Sequence, residues 1–562
     1  MVSAFSMAFS IVVSAYGIAN LYYRLPIWEM LSWLHHYFRQ PVMRFLVMPD
    51  NGHMVVVPKV LYVLDYELFS ARGGFLIVSS VVLILASAVV FSAGAKLGDG
   101  WRGAARWGSI VIVAGALLWL AAWESLLSPM QVLVFVCFFF ALSSFACIAG
   151  RGTIGADGVE RMTWARVAGS LGLMILALFS FGYGLVAAVC FCGLAVVRRL
   201  PGRQRAAILG VSLLGILAFC YGIGFHLPEY NTDPTKAIFR PFQAGAYLVR
   251  LLGAAPRALV QGLLPDGVAG VMGDLLAVGG LLYAAWEIIA AARRGDAARE
   301  GTRFLIATAL LAVGAAMLTA LGRMDFGLGH ARSSRYMTNA VIFWMALGGL
   351  AWRRSRGGTY PARVVLSVAL ASVSVLVAVS NVWQLAEVTA YRGSLREFRW
   401  MLVNRVYPSA MFPTVHPQSD WARRIFRELD QRAWSVFGER EATWIWRPLP
   451  AVAIGHSTEC IGSFDIKRPL EEGSPYTYAG GWAYDTGRHR AVEYVVVTDS
   501  RDIVRAVGRS TTDRPDVMKA RPEVRLLRTG WVAYVADPVP LDGYRAYAFL
   551  ERDGNYASCR LQ

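Results

Sequence analysis

The sequence predicts a polytopic α-helical membrane protein that ends in an extracytoplasmic α+β region. Hydrophobic residues make up 56% of the 562 residues, and mean hydropathy is +0.45. Charged residues make up only 17%, against about 25% in soluble domains. Apolar runs recur through the first two thirds of the chain, and short strand-like segments follow. This composition excludes a soluble globular enzyme, a disordered chain and a small disulfide scaffold.

Apolar runs near 20 residues are candidate transmembrane helices, and we count about eleven. The first lacks a basic leader and a small-residue cleavage site, so it is predicted to be an uncleaved anchor. The runs cover residues 4–22, 74–95, 107–126, 131–150, 164–182, 184–197, 206–225, 267–292, 303–321, 337–352 and 363–383.

Basic linkers predict the orientation. The formal net charge is +17, and five linkers on one predicted side carry eighteen basic and five acidic residues: 96–106, 151–166, 198–205, 293–303 and 353–363. Cytoplasmic loops collect Lys and Arg, so this bias is predicted to reflect topology and not binding of nucleic acid. The N-terminus is then cytoplasmic and the C-terminal region periplasmic or extracellular. Richness in Ala, Arg and Gly suggests a bacterial inner (plasma) membrane protein.

Three regions are predicted. Residues 1–383 form the transmembrane domain, including a first outer loop, 23–73, with interfacial helices in contact with the lipid bilayer. Residues 384–449 form a helical extracytoplasmic connector. Residues 450–562 form a β-sandwich or jelly roll, because alternating apolar residues and turn signals predict short strands there.

The cysteines divide between these regions. Five lie in apolar runs and are expected to be small core residues. Cys460 and Cys559 fall in the predicted β domain. An oxidising compartment permits a disulfide between them, but the sequence leaves open whether they pair.

Asp50 lies at the break between two interfacial helices, with His53 and Lys59 close in sequence. A carboxylate there could accept a proton from an attacking hydroxyl. Its alternative role is structural, as a helix N-cap or in a turn with Asn51.

Three arginines cluster on the outer side, against the charge bias: Arg323, Arg332 and Arg335, with Tyr336 beside them. Guanidinium groups suit phosphate, so we predict a phosphate clamp. The alternative is contact with lipid headgroups. No soluble-enzyme motif accompanies them, and Asp274 and Glu287 give thin support for an ion pathway.

The chain resembles the GT-C superfamily of polytopic membrane glycosyltransferases. The resemblance covers residues 1–383 and rests on the number of spans, the long first outer loop and the soluble outer domain. It also rests on PDNGHMVVVPK at 49–59 followed by LD at 64–65, SFGYGL at 180–185 and ARSSRY at 331–336.

The resemblance implies a hexosyl- or pentosyltransferase that moves sugar from a polyprenyl-phosphate donor to a cell-envelope glycan or lipid-linked acceptor on the outer face. It implies inversion in one displacement, with Asp50 as the base, His53 and Lys59 as local helpers, and Arg323, Arg332 and Arg335 on the phosphate. No cofactor is certain. Many members carry two adjacent acids, whereas Asn51 follows Asp50 here. Use of a divalent metal, and a catalytic role for Asp65 or Glu67 instead, therefore stay open.

Two other functions stay open as well. An O-antigen-type polymerase also joins sugars outside the membrane with outer-loop arginines. A non-catalytic transporter or scaffold of polysaccharide export would need no base.

In the β domain, Trp482 and Trp531 could stack on sugar, although such residues are more often part of a sandwich core.

Overall fold

The computed structural model is mostly helical (66%) and forms two compact units. The helical unit comprises Met1–Tyr23, Arg39–Asp65 and Gly74–Ala390, and the α+β unit comprises Arg24–Phe38, Tyr66–Gly73 and Tyr391–Gln562. The structure describes residues 1–97, 103–154, 160–198, 200–224, 239–294, 300–453, 455–552 and 555–562. Parts of three basic linkers (98–102, 155–159 and 295–299), Arg199, and residues 226–238 of the second outer segment lie outside the described residues.

Each predicted apolar run overlaps a helix. Helices that begin in the helical unit cover Val2–Leu21, Val42–Val47, Val56–Phe69, Gly74–Gly94, Ala104–Leu117, Trp123–Leu127, Val132–Ala149, Trp164–Leu178, Tyr183–Val197, Gly202–Gly222, Pro241–Leu252, Ala254–Val260, Asp266–Arg294, Glu300–Arg323, Met337–Arg356 and Tyr360–Val403. Short 3-10 helices cover Leu120–Ala122, Pro129–Gln131, Met324–Phe326, His330–Arg332 and Ser334–Tyr336. Strands β1 (Thr153–Ile154) and β2 (Glu160–Arg161) form a two-stranded antiparallel sheet.

Within the described residues, eight helical stretches are long and apolar enough to cross a membrane: Val2–Leu21, Gly74–Gly94, Ala105–Leu127, Pro129–Ala149, Gly202–Gly222, Asp266–Arg293, Glu300–Phe326 and Tyr360–Val403. Predicted runs 164–182 and 184–197 form shorter apolar helices. Run 337–352 lies in Met337–Arg356, which is not among the eight. Long apolar helices are therefore confirmed, while the count of eleven spans stays a prediction.

Exposed apolar stripes explain why these helices suit lipid. On Gly74–Gly94, Val78, Val82, Leu85 and Val89 are exposed, and their spacing of three to four residues places them on one face. Ile84 and Ala88 are buried in the unit. A soluble protein rarely exposes such continuous apolar surface. Lipid would solvate this face.

A buried polar network joins helices of the helical unit. The Asn381 side chain accepts a hydrogen bond from the Leu120 backbone N–H at 2.7 Å and donates to Ser10 and to Ser14 Oγ. Trp119 Nε1 donates to Ser380 Oγ at 3.1 Å. In an apolar environment such bonds hold helices together because unsatisfied polar groups are costly.

An ionic network lies at the end of the helical unit that carries the basic linkers. Arg198 and Arg303 bind Glu160 with N–O distances of 2.6 and 3.1 Å. Burial opposes ionisation of Glu160, but hydrogen bonds from the Gly152 N–H and both arginines hold its pKa at about 2. Lys96 pairs with Glu300 in the same way at 2.9 Å. Several predicted linker charges are thus neutralised within the fold.

The α+β unit contains one large antiparallel sheet. Its strands are β3 Cys460–Pro469, β4 Thr477–Asp485, β5 Arg490–Ala491, β6 Tyr494–Thr498, β7 Val504–Thr512, β8 Gly530–Val535, β9 Arg545–Arg552 and β10 Asn555–Arg560. They are ordered β10–β9–β6–β7–β8–β4–β3 in the sheet, and β5 pairs with β4. Its helices and 3-10 turns cover Glu29–Arg39, Ser409–Met411, Phe412–Val415, Ser419–Gln431, Ser435–Gly438, Ala442–Trp444, Leu449–Ala451 and Pro515–Ala520.

The two faces of this sheet bury different partners. Val495 and Val497 of β6 join a core with Trp531, whereas neighbouring Tyr494 packs on Trp444 with ring centroids 5.6 Å apart. Strand residues alternate between faces, so the segment before the sheet covers the second face. This differs from the predicted sandwich: all eight strands described here join one sheet. Trp531 is a core residue.

Cys460 and Cys559 form a disulfide with Cα atoms 6.2 Å apart. The two cysteines, whose pairing the sequence left open, are therefore bonded to each other.

The predicted domain boundaries differ from the boundaries of the two compact units. Residues 24–38 and 66–73 of the first outer loop belong to the α+β unit. There the Trp28 N–H donates to Val415 O at 2.8 Å and the Ser435 N–H donates to Ser70 O at 2.7 Å. The helix Tyr360–Val403 continues through the predicted boundary at 383/384.

Candidate functional site

Asp50 and His53 are paired across a tight turn in the helical unit. The Asp50 N–H donates to His53 O at 2.9 Å, and the His53 N–H donates to Asp50 O at 2.7 Å. Asn51 and Gly52 between them have φ values of +48° and +75°. Asn-Gly is the pair that a two-residue hairpin turn of this kind favours, because both positions need a left-handed backbone. The backbone pairing therefore fixes Asp50 and His53 at the two ends of the turn, and the Asp50 charge acts on Lys59.

The His53 imidazole lies against the turn between two apolar helices. Its ring centroid is 4.5 Å from that of Phe181, and a Cβ placed on Gly182 would lie 2.6 Å from His53 Nδ1. Glycine at 182 therefore permits this close approach. Burial and the positive charge of Arg323 lower the pKa of His53 to about 4, so the imidazole is neutral near pH 7.

Aromatic hydroxyls and a second imidazole lie near Arg323. Tyr247 Oη and His330 Nδ1 are 3.0 Å apart, and Tyr336 hydrogen-bonds to Tyr247. Burial, followed by the charges of Arg335 and Arg323, lowers the pKa of His330 to about 4. Burial also raises the pKa of Tyr336, so its hydroxyl stays protonated and able to donate.

The three predicted arginines differ in their partners. Arg332 Nη2 binds Asp274 Oδ1 at 3.0 Å and Gly270 O at 3.2 Å. Arg335 Nη2 lies 3.5 Å from Glu124 Oε1. Arg323 makes a cation–π contact with Phe326 at 5.2 Å, but its guanidinium has no hydrogen bond or ion pair with any residue that the structure describes. Arg323 is therefore the member of the trio best placed to receive an external anion.

Glu124 organises the loop that carries these arginines. Its Oε2 accepts hydrogen bonds from Ser333 Oγ at 2.6 Å, Ser334 Oγ at 2.8 Å and the Arg335 N–H at 3.0 Å. These contacts satisfy the carboxylate, so it positions the loop and is a poor base. Glu124, Tyr247 and His330 were not predicted from the sequence to belong to this site. An acid at the end of an apolar span was the available signal for Glu124.

Lys59 is buried and structural. Its Nζ donates to Phe45 O at 3.0 Å and to Met48 O at 2.6 Å, and lies 4.8 Å from the Phe45 ring centroid. The ammonium thus caps the C-terminus of the short helix Val42–Val47. Burial lowers the pKa of Lys59 to about 8, and the charge of Asp50 opposes that shift. Lys59 supports the segment that leads into the Asp50 turn.

Replacing Lys59 by methionine should destabilise the helical unit by about 2 kcal/mol, because the buried Phe45 carbonyl and the half-buried Met48 carbonyl lose their donor. Methionine fills a similar volume, so packing is largely kept. Thermal unfolding of the purified variant in lipid nanodiscs measures the change. Lys519→Met, at an exposed lysine, serves as the control and should leave the melting temperature unchanged. An equally stable Lys59→Met variant would contradict the capping role.

The lowered pKa values of His53 and His330 predict that the stability of the fold depends on pH. Both have a folded-state pKa of about 4, below the value of 6.5 expected when unfolded. Between these values the unfolded chain binds more protons, so stability falls as pH decreases from about 6.5 towards 4. The melting temperature should fall across this window, and less steeply for a His53→Asn/His330→Asn variant. Parallel pH profiles for the two proteins would refute the assignment.

The other acids considered from the sequence are engaged elsewhere. Asp65 is buried, and Glu67, in the α+β unit, accepts a hydrogen bond from Tyr37. Asp274 pairs with Arg332, and Glu287 pairs with Arg354 at 3.4 Å.

Across the described ranges, no group of three or more His, Cys, Asp and Glu side chains comes together that could hold a metal ion. The Asp50 turn itself supplies one carboxylate, and the positive charge of Lys59 acts on that carboxylate. No metal-dependent step is derived from it.

The fold and the site together define the class of protein. It is a mostly helical protein with long apolar helices and an antiparallel sheet domain, and one of its loops carries a cluster of arginine, imidazole and phenol groups. No protein-family model matches the chain, and neither a curated protein nor a solved structure does.

Proposed function

We propose that this protein is a membrane glycosyltransferase. It moves a sugar from a polyprenyl-phosphate donor to a cell-envelope glycan or lipid-linked acceptor on the outer face of the membrane. The observation that carries the proposal is the Arg323 guanidinium, which lacks an internal anionic partner among the described residues and lies near two neutral imidazoles and protonated tyrosines. Together these groups suit one lipid-linked phosphate.

The ion pairs around this loop single out Arg323. Asp274 is shared by Arg332 and Arg250, and Glu124 binds Arg335, whereas Arg323 has no acidic partner within the described residues and can bind the phosphate. Tyr336 and His330 supply neutral hydrogen-bonding groups near that charge. Charge-assisted hydrogen bonds from a guanidinium to phosphate are among the strongest in proteins. Electrostatic stabilisation of a leaving phosphate is greatest where water is partly excluded.

In the proposed reaction, an acceptor hydroxyl oxygen attacks the anomeric carbon of the donor sugar. The bond between that carbon and the phosphate oxygen breaks, and both of its electrons leave with the polyprenyl phosphate. Arg323 stabilises the charge that develops on the phosphate. Asp50 takes the proton from the attacking hydroxyl. His53, at the other end of the same turn, is a neutral hydrogen-bonding group near Arg323.

The proposed orientation agrees with where the charged groups lie along the helix Glu300–Arg323. Its 24 residues span about 36 Å, close to the ~30 Å hydrocarbon core of a bilayer. The Glu160 network lies at the start of this helix, and Arg323 lies at its end. A cytoplasmic location for the first end places Arg323 outside. The Cys460–Cys559 disulfide supports an oxidising location for the α+β unit.

Sugar transfer by the purified protein tests the proposal. The wild-type chain in lipid nanodiscs is incubated with a panel of polyprenyl-phosphate hexoses and pentoses and a membrane glycolipid extract as acceptor. Release of polyprenyl phosphate from one donor, together with a labelled glycan product, is the expected result. If correctly inserted protein turns over no donor, the proposal fails. Activity only with diphosphate-linked oligosaccharides would instead identify a polymerase.

A further inference from the structure

A groove of about 380 Å³ opens on the helical unit away from the Arg323 cluster residues already described. Its volume lies in the lower part of the range for small-molecule sites, ~300–1,000 Å³. The lining combines an indole, two amides and two carboxylates. It consists of Gln261, Gly262, Leu264, Asp266, Trp383, Gln384 and Glu387.

Gln384 is the member of this groove that structural packing does not explain. Its side chain is only 7% exposed, yet it has no hydrogen bond to any residue within the described part of the chain. Within the described residues, the sealed polar atoms that lack a partner do not include this amide, so its donor and acceptor atoms are open to the groove. Since Gln384 lines the groove, an occupant can supply the missing hydrogen bonds.

Trp383 presents apolar surface beside that amide. It is 40% exposed. A Cβ on Gly262 would lie 3.0 Å from Trp383 Cε3, and Gly262 has φ +89°, a conformation that favours glycine. The loop Gln261–Leu264 therefore packs closely on one edge of the indole while the rest of the side chain stays accessible from the groove.

Hydrogen bonds on one side of the groove and an ion pair on the other hold its lining residues in place. One turn before Gln384, Ser380 and Asn381 belong to the buried polar network, with Ser380 Oγ donating to Ala258 O at 3.3 Å. Across the groove, Arg257 Nη2 lies 3.3 Å from Asp266 Oδ1. This ion pair leaves Glu387 as the unbalanced charge among the described lining residues. The site is preorganised and weakly acidic.

We infer that this groove binds a neutral sugar ring of the acceptor, an inference that rests on the proposed glycosyltransferase function. Sugar hydroxyl groups both donate and accept hydrogen bonds, which matches two amides together with two carboxylates. The apolar face of a sugar ring suits the exposed indole. A quaternary ammonium ion would leave the amide N–H groups of Gln261 and Gln384 unused. An anion would be repelled by Glu387.

The helix Asp266–Arg294 relates the groove to the phosphate site. Asp266 lines the groove, while Gly270 and Asp274 contact Arg332. At 1.5 Å per residue these contacts lie about 6 and 12 Å along the helix axis from Asp266. An acceptor glycan with one ring in the groove therefore has its next sugars within reach of the loop that follows Arg323 and carries Arg332.

Binding of neutral disaccharides tests the inference. Saturation-transfer NMR on the full chain in nanodiscs uses cellobiose, maltose, lactose, mannobiose and arabinobiose, with choline as the cation probe. At least one disaccharide should show ring-proton transfer. Gln384→Leu, which keeps side-chain volume, should weaken that binding by about tenfold, the effect of about one good hydrogen bond. Trp383→Leu should weaken it similarly, and Trp383→Phe less.

Two further outcomes separate this inference from the proposed function. Arg323→Gln should leave disaccharide binding unchanged, and Trp383→Leu should leave polyprenyl-phosphate binding unchanged. Absence of disaccharide binding, binding that neither Trp383→Leu nor Gln384→Leu reduces, or binding of choline alone would overturn the sugar assignment. Sugar transfer by the wild type would still stand in each of those cases. Groove binding without sugar transfer would overturn the proposed function and the acceptor role, leaving a sugar-binding site.

Discussion

Replacing Asp50 by asparagine should lower the turnover number for sugar transfer by about 10²–10⁴-fold, the range expected for loss of a general base. The turn itself should survive, because its two hydrogen bonds use the backbone atoms of Asp50 and His53. Asparagine keeps the shape of the side chain and removes the basic carboxylate. The Michaelis constant for the donor should change little, since Asp50 is assigned to the acceptor proton.

Steady-state kinetics with saturating donor, together with thermal unfolding, measures this effect. Asp325→Asn is the matched control, since Asp325 is an exposed acid on the neighbouring loop, and it should keep near-normal activity. If Asp50→Asn turns over at the wild-type rate, Asp50 is not the general base. Asp65→Asn and Glu67→Gln would then be compared, because the sequence left these two acids as alternatives.

Replacing Arg323 by glutamine should lower kcat/KM by about 10²–10³-fold, comparable to losing a main electrostatic contact to the leaving group. Binding of polyprenyl phosphate itself should also weaken strongly. The physical reason is specific to Arg323, because Arg332 and Arg335 already bind Asp274 and Glu124. Arg323→Lys should restore part of the activity, since lysine keeps the charge but not the planar fork of donors.

Equilibrium binding of fluorescent polyprenyl phosphate to protein in nanodiscs measures the Arg323 effect directly. Arg363→Gln controls for net charge, because Arg363 is an exposed arginine on a predicted cytoplasmic linker. That variant should bind the lipid as the wild type does. If Arg323→Gln and the wild type bind polyprenyl phosphate with equal affinity, Arg323 does not bind the phosphate. The main support for the proposed function would then be lost.

Hydropathy predicted where the long helices lie because lipid and protein interiors both favour apolar residues. It could not predict that residues 24–38 and 66–73 belong to the α+β unit, since an amphipathic helix suits a protein surface as well as a lipid headgroup layer. Nor could it predict one sheet. The continuous apolar run in β6 indicates a strand that is buried on both faces. It does not indicate whether a second sheet or residues such as Trp400 and Trp444 cover one of those faces.

Some features of the candidate site could likewise be predicted from the sequence, and others could not. Asn51-Gly52 indicated a turn beside Asp50, and the arginines were visible from charge alone. Their different roles depend on partners distant in sequence, such as Glu124 for Arg335 and Asp274 for Arg332. Lys59 was expected to help with substrate, but its ammonium binds backbone carbonyls that only the folded chain brings to it. Gln384 is the first residue of the predicted connector and gave no signal of a binding role.

The disulfide joins β3, the first strand of the large sheet, to β10, the last. Cys460 is therefore synthesised 99 residues before its partner and must persist as a free thiol until every intervening strand exists. No third cysteine occurs after residue 390, since the other five lie between Cys137 and Cys220. The region thus has one intramolecular connectivity. Maturation of this domain needs an oxidant but no reshuffling of mispaired bridges by an isomerase.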